Sequence, residues 1–475
     1  MSYRKKVAAL YLLGFFVDLV NMFIANVAYP DIARAFDASI ATLAWVGNAY
    51  ILGLTLVIPL SAWLARRHGS KNIFMLSLAV FMLATLGAGT ADTISALIAW
   101  RFVQGLGGGL LIPLGQTMAY RLYRPDERAG LSSLIMLVGL LAPALSPALG
   151  GLVVDALSWR WIFFLTVPLA ALTLLLAWHW LRPEPASAVR TPLDLAGLAS
   201  GALAIALALL GLTMLGEQAH HTMGAVLLAA GLLVFAWHVR GALRNAHPIL
   251  DLRLVRDPLL RVSMLVYLLV PGVFMGVSLI AMFCLQTVMG MSASHTGLLM
   301  LPWSLGAFLG ISLTGKNFNR VGPRPLFLSG ALLHGAGIAL LAGVSQPLQW
   351  PPLMAAYALM GLGGSLTSSA AQSTAFLQTA DAQLGEASAL WNIGRQISFC
   401  FGVALLSVLL NLLLGLNGIA DPGDPAMSAR TTHVFHLCFA IAAASAVLPI
   451  LLCMRIGNAD ILRRLRMQSH LKTQP

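Results

Sequence analysis

The sequence predicts an all-α polytopic membrane protein of about fourteen transmembrane helices, and three observations carry that prediction. Hydrophobic residues make up 59% of the 475 positions and charged residues only 10%, with a mean hydropathy of +0.84. The apolar residues gather into runs of roughly 20, the length that crosses about 30 Å of hydrocarbon with its backbone bonds satisfied internally. The basic residues between the runs fall on alternate turns.

The runs follow one another in order. Arg4, Lys5 and Lys6 lead into span 1 (8–29), which is too long for a cleavable signal and has no convincing small-residue cleavage site, so it is expected to remain as a helix. Span 2 (43–64) ends in a basic turn, and span 3 (72–91) leads through a short break to span 4 (95–118). Arg121, Arg124 and Arg128 separate span 4 from span 5 (130–154), and span 6 (160–181) stops at the polar stretch RPEPASAVRTPLD. Spans 7 (195–215) and 8 (222–242) are poor in interior polar residues and are bracketed by that stretch and by LRNAHPILDLRLVRDP. Spans 9 (259–289), 10 (296–315), 11 (325–345), 12 (352–374) and 13 (385–414) precede a loop near 415–433, and span 14 (434–455) precedes a basic tail.

Both termini and the even-numbered turns hold 24 of the 29 Lys and Arg residues, against Arg34, Arg160 and Arg430 on the opposite side and Arg101 and Arg395 inside helices. The basic side is expected to be cytoplasmic. The net charge of +12 is therefore read as topology rather than as a nucleic-acid footprint. Cys284, Cys400, Cys438 and Cys453 lie in or beside apolar runs without CxxC spacing, so buried thiols are expected, with neither disulfide nor metal. No stretch outside the runs is long enough for a soluble domain. Neither a GxSxG nor an HExxH constellation is present, which argues against an enzyme.

The turn after span 2, LSAWLARRHGSKNIF, and the turn after span 10, LTGKNFNRVGPRPLF, share basic residues around a Gly. This weak repeat pairs spans 1–6 with spans 9–14 and leaves spans 7 and 8 as an inserted pair. The expected division is residues 1–182, 183–257 and 258–475.

Asp18 is the one carboxylate placed deep in a span, with Asp155 and Glu386 near span ends. A charge at the bilayer centre costs roughly 2.5–3.5 kcal/mol on insertion scales, so it is expected to work, as a proton-binding group. The alternative is a carboxylate tied permanently to a neighbouring helix. Helical rise places Arg101 within side-chain reach of its depth, as a partner or as a brace between helices. In span 13, Trp391, Asn392, Arg395 and Gln396 form i,i+4 pairs, a polar and aromatic stripe expected to face the bundle interior. Asn26, Asn48 and Tyr267 are further candidates for the cavity wall.

NMFIANVAYPDIA in span 1, WVGNAYIL in span 2, RFVQGLGGG in span 4, APALSPALGG and SWRWIFFLTVP across spans 5 and 6, and HPILDLRLVR before span 9 together resemble the fourteen-helix drug:proton antiporters of the major facilitator superfamily, the EmrB/QacA type, MdtD-like exporters among them. The resemblance covers nearly the whole chain. It implies the major facilitator fold, two six-helix bundles plus two extra helices, rocking by alternating access around a midplane site. It also implies a monomer in a bacterial inner membrane that exports amphipathic or cationic small molecules and runs on the proton motive force without a cofactor. A dedicated exporter of one metabolite, such as a siderophore, and a transport-inactive sensor or scaffold are the alternatives.

The resemblance implies a proton-relay role for Arg101, beside Gln104 and Gly105, and a conformational role for Pro143, Pro147, Gly150 and Gly151. The sequence departs from the pattern twice. The acidic position nine residues before the span 1 proline is Asn21, with Asp18 one helical turn away on the same face. The acidic position of the turn that contains Gly69 and Lys71 is Arg66. Asp18 is expected to substitute for the missing carboxylate, and the latch at Arg66 to be weakened or rebuilt.

Overall fold

The computed structural model describes residues 1–38, 40–183, 192–215, 221–291, 293–344, 349–419, 422–454 and 456–470. Among these residues every predicted span is helical, and none forms a strand. Among the described residues ten helices are long and apolar enough to cross a membrane, eleven if the bent pair Trp45–Val57 and Leu60–His68 is one span. Trp350–Ala375 falls outside that set because its second half, SLTSSAAQSTA, is small and polar, and nearly all of that half is buried within the bundle.

Most departures from straight helices trace to proline. Span 1 runs over Tyr3–Ile24, passes a 3-10 turn and restarts as Tyr29–Phe36 with Pro30 in its first turn, where a missing N–H costs no bond. Span 2 bends by 55° where Pro59 removes a donor. Span 9, Pro258–Val288, widens into π-helical turns at Leu268–Gly272 around Pro271 and at Cys284–Val288. Span 5 is one helix from Pro125 to Ala156, so Pro143 and Pro147 interrupt nothing.

Close packing then depends on small residues. A Cβ on Gly105 would stand 2.1 Å from the Tyr50 carbonyl of span 2, and one on Gly402 would stand 1.7 Å from the Gly272 carbonyl of span 9. Spans 7 and 8, Leu195–Leu215 and His221–Arg244, pack on each other at Gly211 and Gly224. The first apolar core draws residues from spans of both repeats, whereas a second is confined to spans 9–14. Gly69 and Gly322, in the basic turns after spans 2 and 10, both take positive φ, 82° and 77°.

One element was not predicted. Asn458–His470 folds as a further helix, anchored by buried Ile461 and Leu465, and its Asn458 side chain bonds the Val321 carbonyl and the Arg324 amide. The i,i+4 spacing of Ile461 and Leu465 within a basic run is the signal that could have found it.

Candidate functional site

The interior of the N-terminal half holds a sealed polar network built from five spans, 1, 2, 3, 4 and 6. Asp18, Asn21, Arg101 and Gln104 are all fully buried. Arg101 Nη1 donates to Asn21 Oδ1 at 2.6 Å and to Gln104 Oε1 at 2.7 Å, and its Nε donates to the Val46 carbonyl at 3.1 Å. Asn21 in turn donates to Thr166 Oγ1 at 3.0 Å, and Gln104 to Thr85 Oγ1 at 2.6 Å. Asn21 thus meets the arginine directly, at the position where the family pattern has an acid.

Asp18 does not bond Arg101. Tyr50, from the AYIL stretch of span 2, stands between them: its hydroxyl donates to Asp18 Oδ1, and its ring lies 4.3 Å from the Arg101 guanidinium. Asp18 Oδ2 is buried without a hydrogen-bond partner. A Cβ on Gly108 would stand 2.2 Å from Asp18 Oδ1 and 3.0 Å from the Tyr50 hydroxyl, so the glycine run of span 4 is what lets the carboxylate approach. Sequence reasoning passed over Tyr50, because a tyrosine in an apolar helix reads as core until its hydroxyl is seen to meet a charge.

The span 13 stripe divides in the fold. Trp391 is buried edge-on to Tyr267, with ring centroids 5.2 Å apart, and also meets Phe376. Asn392 donates to Gln116 Oε1 of span 4 at 2.9 Å, joining the two repeats. Arg395 is half-buried, its guanidinium 5.4 Å from the Phe15 ring and its Nε without a partner. Gln396 is buried and Asn48 half-buried. The side chains of Asn26, Pro143, Pro147 and Asp155 lie outside the described residues, while Gly150 is buried and Gly151 half-buried.

At the basic face the repeats are bolted together. Arg66 Nη1 meets Glu386 Oε1 at 2.6 Å, so the turn that lacks its acid takes one from span 13. Arg128 donates to Asp381 at 3.1 Å and to the Phe376 carbonyl at 3.0 Å, and Asn319 donates to the Asp126 carbonyl at 2.7 Å. Lys71 caps the end of span 6 through the Trp178 and Leu181 carbonyls, at 2.9 and 2.7 Å.

A bundle of membrane helices with a charge network buried in one half, and with its two halves closed against each other at one face, defines a multi-pass membrane transporter. The chain belongs to the Major Facilitator Superfamily, whose sequence profile matches residues 11–403; the transporters of this family are secondary transporters rather than enzymes. It is 31% identical over 399 residues, 82% of this chain and 73% of the other, to a protein of Mycobacterium tuberculosis named Multidrug resistance protein B homolog. It is 30% identical over 477 residues, 96% of each chain, to the Putative multidrug resistance protein MdtD of Cronobacter sakazakii. Among solved structures, the human organic anion transporter MFSD10 matches with a TM-score of 0.66 at 16% identity, covering 95% of this chain and all of the other. The proton:xylose symporter XylE matches with a TM-score of 0.63 at 14% identity, covering 95% of each. At such identities these structures speak for the fold.

Proposed function

We propose that this protein is a proton-coupled multidrug exporter that moves amphipathic or cationic small molecules by alternating access, with Asp18 as its proton-binding group. The observation that carries the reading is the buried Asp18–Tyr50–Arg101 arrangement. A carboxylate with one oxygen held by a hydroxyl and the other unpartnered has a place for a proton. A proton on Oδ2 would leave Oδ1 a neutral acceptor and so weaken its bond from Tyr50, and Tyr50 backs the Arg101 guanidinium. The names of the relatives support multidrug export.

Around that site, residues 1–182 and 258–475 act as the two rocking bodies, with 183–257 as linker and inserted pair. Trp391, Tyr267, Asn392, Arg395, Gln396, Asn21 and Asn48 serve the substrate path, and the Arg66–Glu386 contact serves the gate. The chain works as a monomer in the bacterial inner membrane with both termini cytoplasmic, so that closure at the basic face corresponds to an outward-facing state. Electrical driving force alone supplies roughly 2.3 kcal/mol per proton at 100 mV.

The test is proton release by the purified protein in detergent when a lipophilic cation such as ethidium is added. Wild type is expected to release protons and Asp18→Asn to release none while still binding the cation. Proton release that survives Asp18→Asn would refute the assignment.

A further inference from the structure

The gate at the basic face encloses a second site. A cavity of about 180 Å³ opens between the two repeats, lined by Ser61, Arg66, Ser70, Thr117, Arg121 and Gly385 among others. That volume exceeds tenfold the ~10–15 Å³ that one water occupies. The described residues that line it include two arginines and no acid. Arg66 spends one nitrogen on Glu386, which lies on the far side in a neighbouring hollow, while its Nε is buried without a partner. Arg121 makes no ion pair among the described residues and is exposed. Ser61 is only 1% exposed, and its Oγ has no hydrogen-bond partner. One helix begins at the cavity, Ser70–Gly89, bringing amide donors and the positive end of its dipole.

We infer that this cavity binds a phosphate-sized oxyanion. Converging guanidinium, hydroxyl and amide donors suit a tetrahedral anion with several acceptor oxygens. The walls come from both repeats, Ser61, Arg66, Ser70 and Arg121 from one and Ala382 and Gly385 from the other, so the complete site exists only while the gate is closed. A ligand that binds one state alone shifts the population toward it. The anion therefore clamps the basic face shut, supplying the negative charge that the turn at Arg66 lacks. Its source is either free phosphate or the phosphodiester of a lipid headgroup.

The experiment uses the full chain in phosphatidylcholine nanodiscs, titrated with inorganic phosphate against chloride at matched ionic strength. Thermal stability and hydrogen exchange of segments 60–70 and 381–388 are read out. Phosphate is expected to raise the melting temperature and slow exchange in both segments, where chloride does not. Arg121→Gln is expected to need roughly tenfold more phosphate, the loss of one charged hydrogen-bond partner, and Ser61→Ala to weaken binding in the same direction. If phosphatidylglycerol nanodiscs protect both segments without added phosphate, the lipid headgroup is the source. Equal effects of phosphate and chloride, or wild-type responses in both variants, or no protection in either arm, overturn the inference. The readout is independent of proton coupling: Asp18→Asn is expected to keep the phosphate response, so the two readings can fail separately.

Discussion

Tyr50 links a carboxylate and a guanidinium that the sequence suggested would meet directly. A hydroxyl bonded to a buried charge contributes about 1.5–3 kcal/mol, so Tyr50→Phe should leave the fold intact and change the coupling. The expected outcome is substrate binding near wild type with substrate-driven proton release reduced at least severalfold, measured by stopped-flow with a pH dye. Unchanged proton release would remove Tyr50 from the relay. Gly108 is constrained by the same contact, since an added methyl has 2.2 Å to Asp18 Oδ1. Gly108→Ala should destabilise by about 1–3 kcal/mol through overpacking, read as a lower melting temperature. Asp18→Asn in that background should leave the penalty in place, because the amide keeps the volume.

Among elements, the basic turn after span 2 shows how a lost acid is replaced. Arg66 finds Glu386 at the start of span 13, and both side chains are partly exposed, so their coupling should be modest, at most about 1 kcal/mol. Arg66→Ala and Glu386→Ala should each loosen the basic face, seen as faster hydrogen exchange in 60–70. The double variant should be no looser than the worse single one, and full additivity would show that the pair does not act as a unit. The inserted hairpin offers a separate test. Gly211 and Gly224 bring the backbones of spans 7 and 8 together, a Cβ on either meeting backbone nitrogen at about 2.5 or 2.6 Å. Gly224→Leu should pry the pair apart and lower stability while leaving the Asp18 network, in another part of the bundle, able to release protons. Fourteen runs could be read from spacing and charge because each must be long and apolar. The bend at Pro59 and the π-helical turns of span 9 could not, since proline marks where a helix is weakened and not how far it turns.

For the molecule as a whole, the alternation of basic turns predicts that cysteines placed at Ser2 and at Gln468 are labelled from the same side by an impermeant maleimide in right-side-out and inverted vesicles. Labelling of the two ends from opposite sides would overturn the topology. The bonds of Arg66 to Glu386, Arg128 to Asp381 and Asn319 to the Asp126 carbonyl tie the basic end of the bundle together. Shifting the population to the opposite state should expose Asp126 and Glu386, whose side chains are only 9% and 20% exposed, and carboxyl-reactive labelling with and without proton gradient can follow it.

Composition, run length and the distribution of Lys and Arg were enough to determine a multi-pass helical protein and the buried position of Asp18, because the bilayer taxes polarity residue by residue and that cost is local. Motifs added the family, and with it the expectation that Arg101 and Asn21 matter. Only the tertiary structure decided who touches whom. Arg101 chose Asn21 and Gln104, Asp18 chose Tyr50, and Arg66 recruited an acid 320 positions away. Such pairings depend on helix rotation and close approach at glycines, which are set by the packing of the entire bundle and leave no trace in the spacing of any one helix.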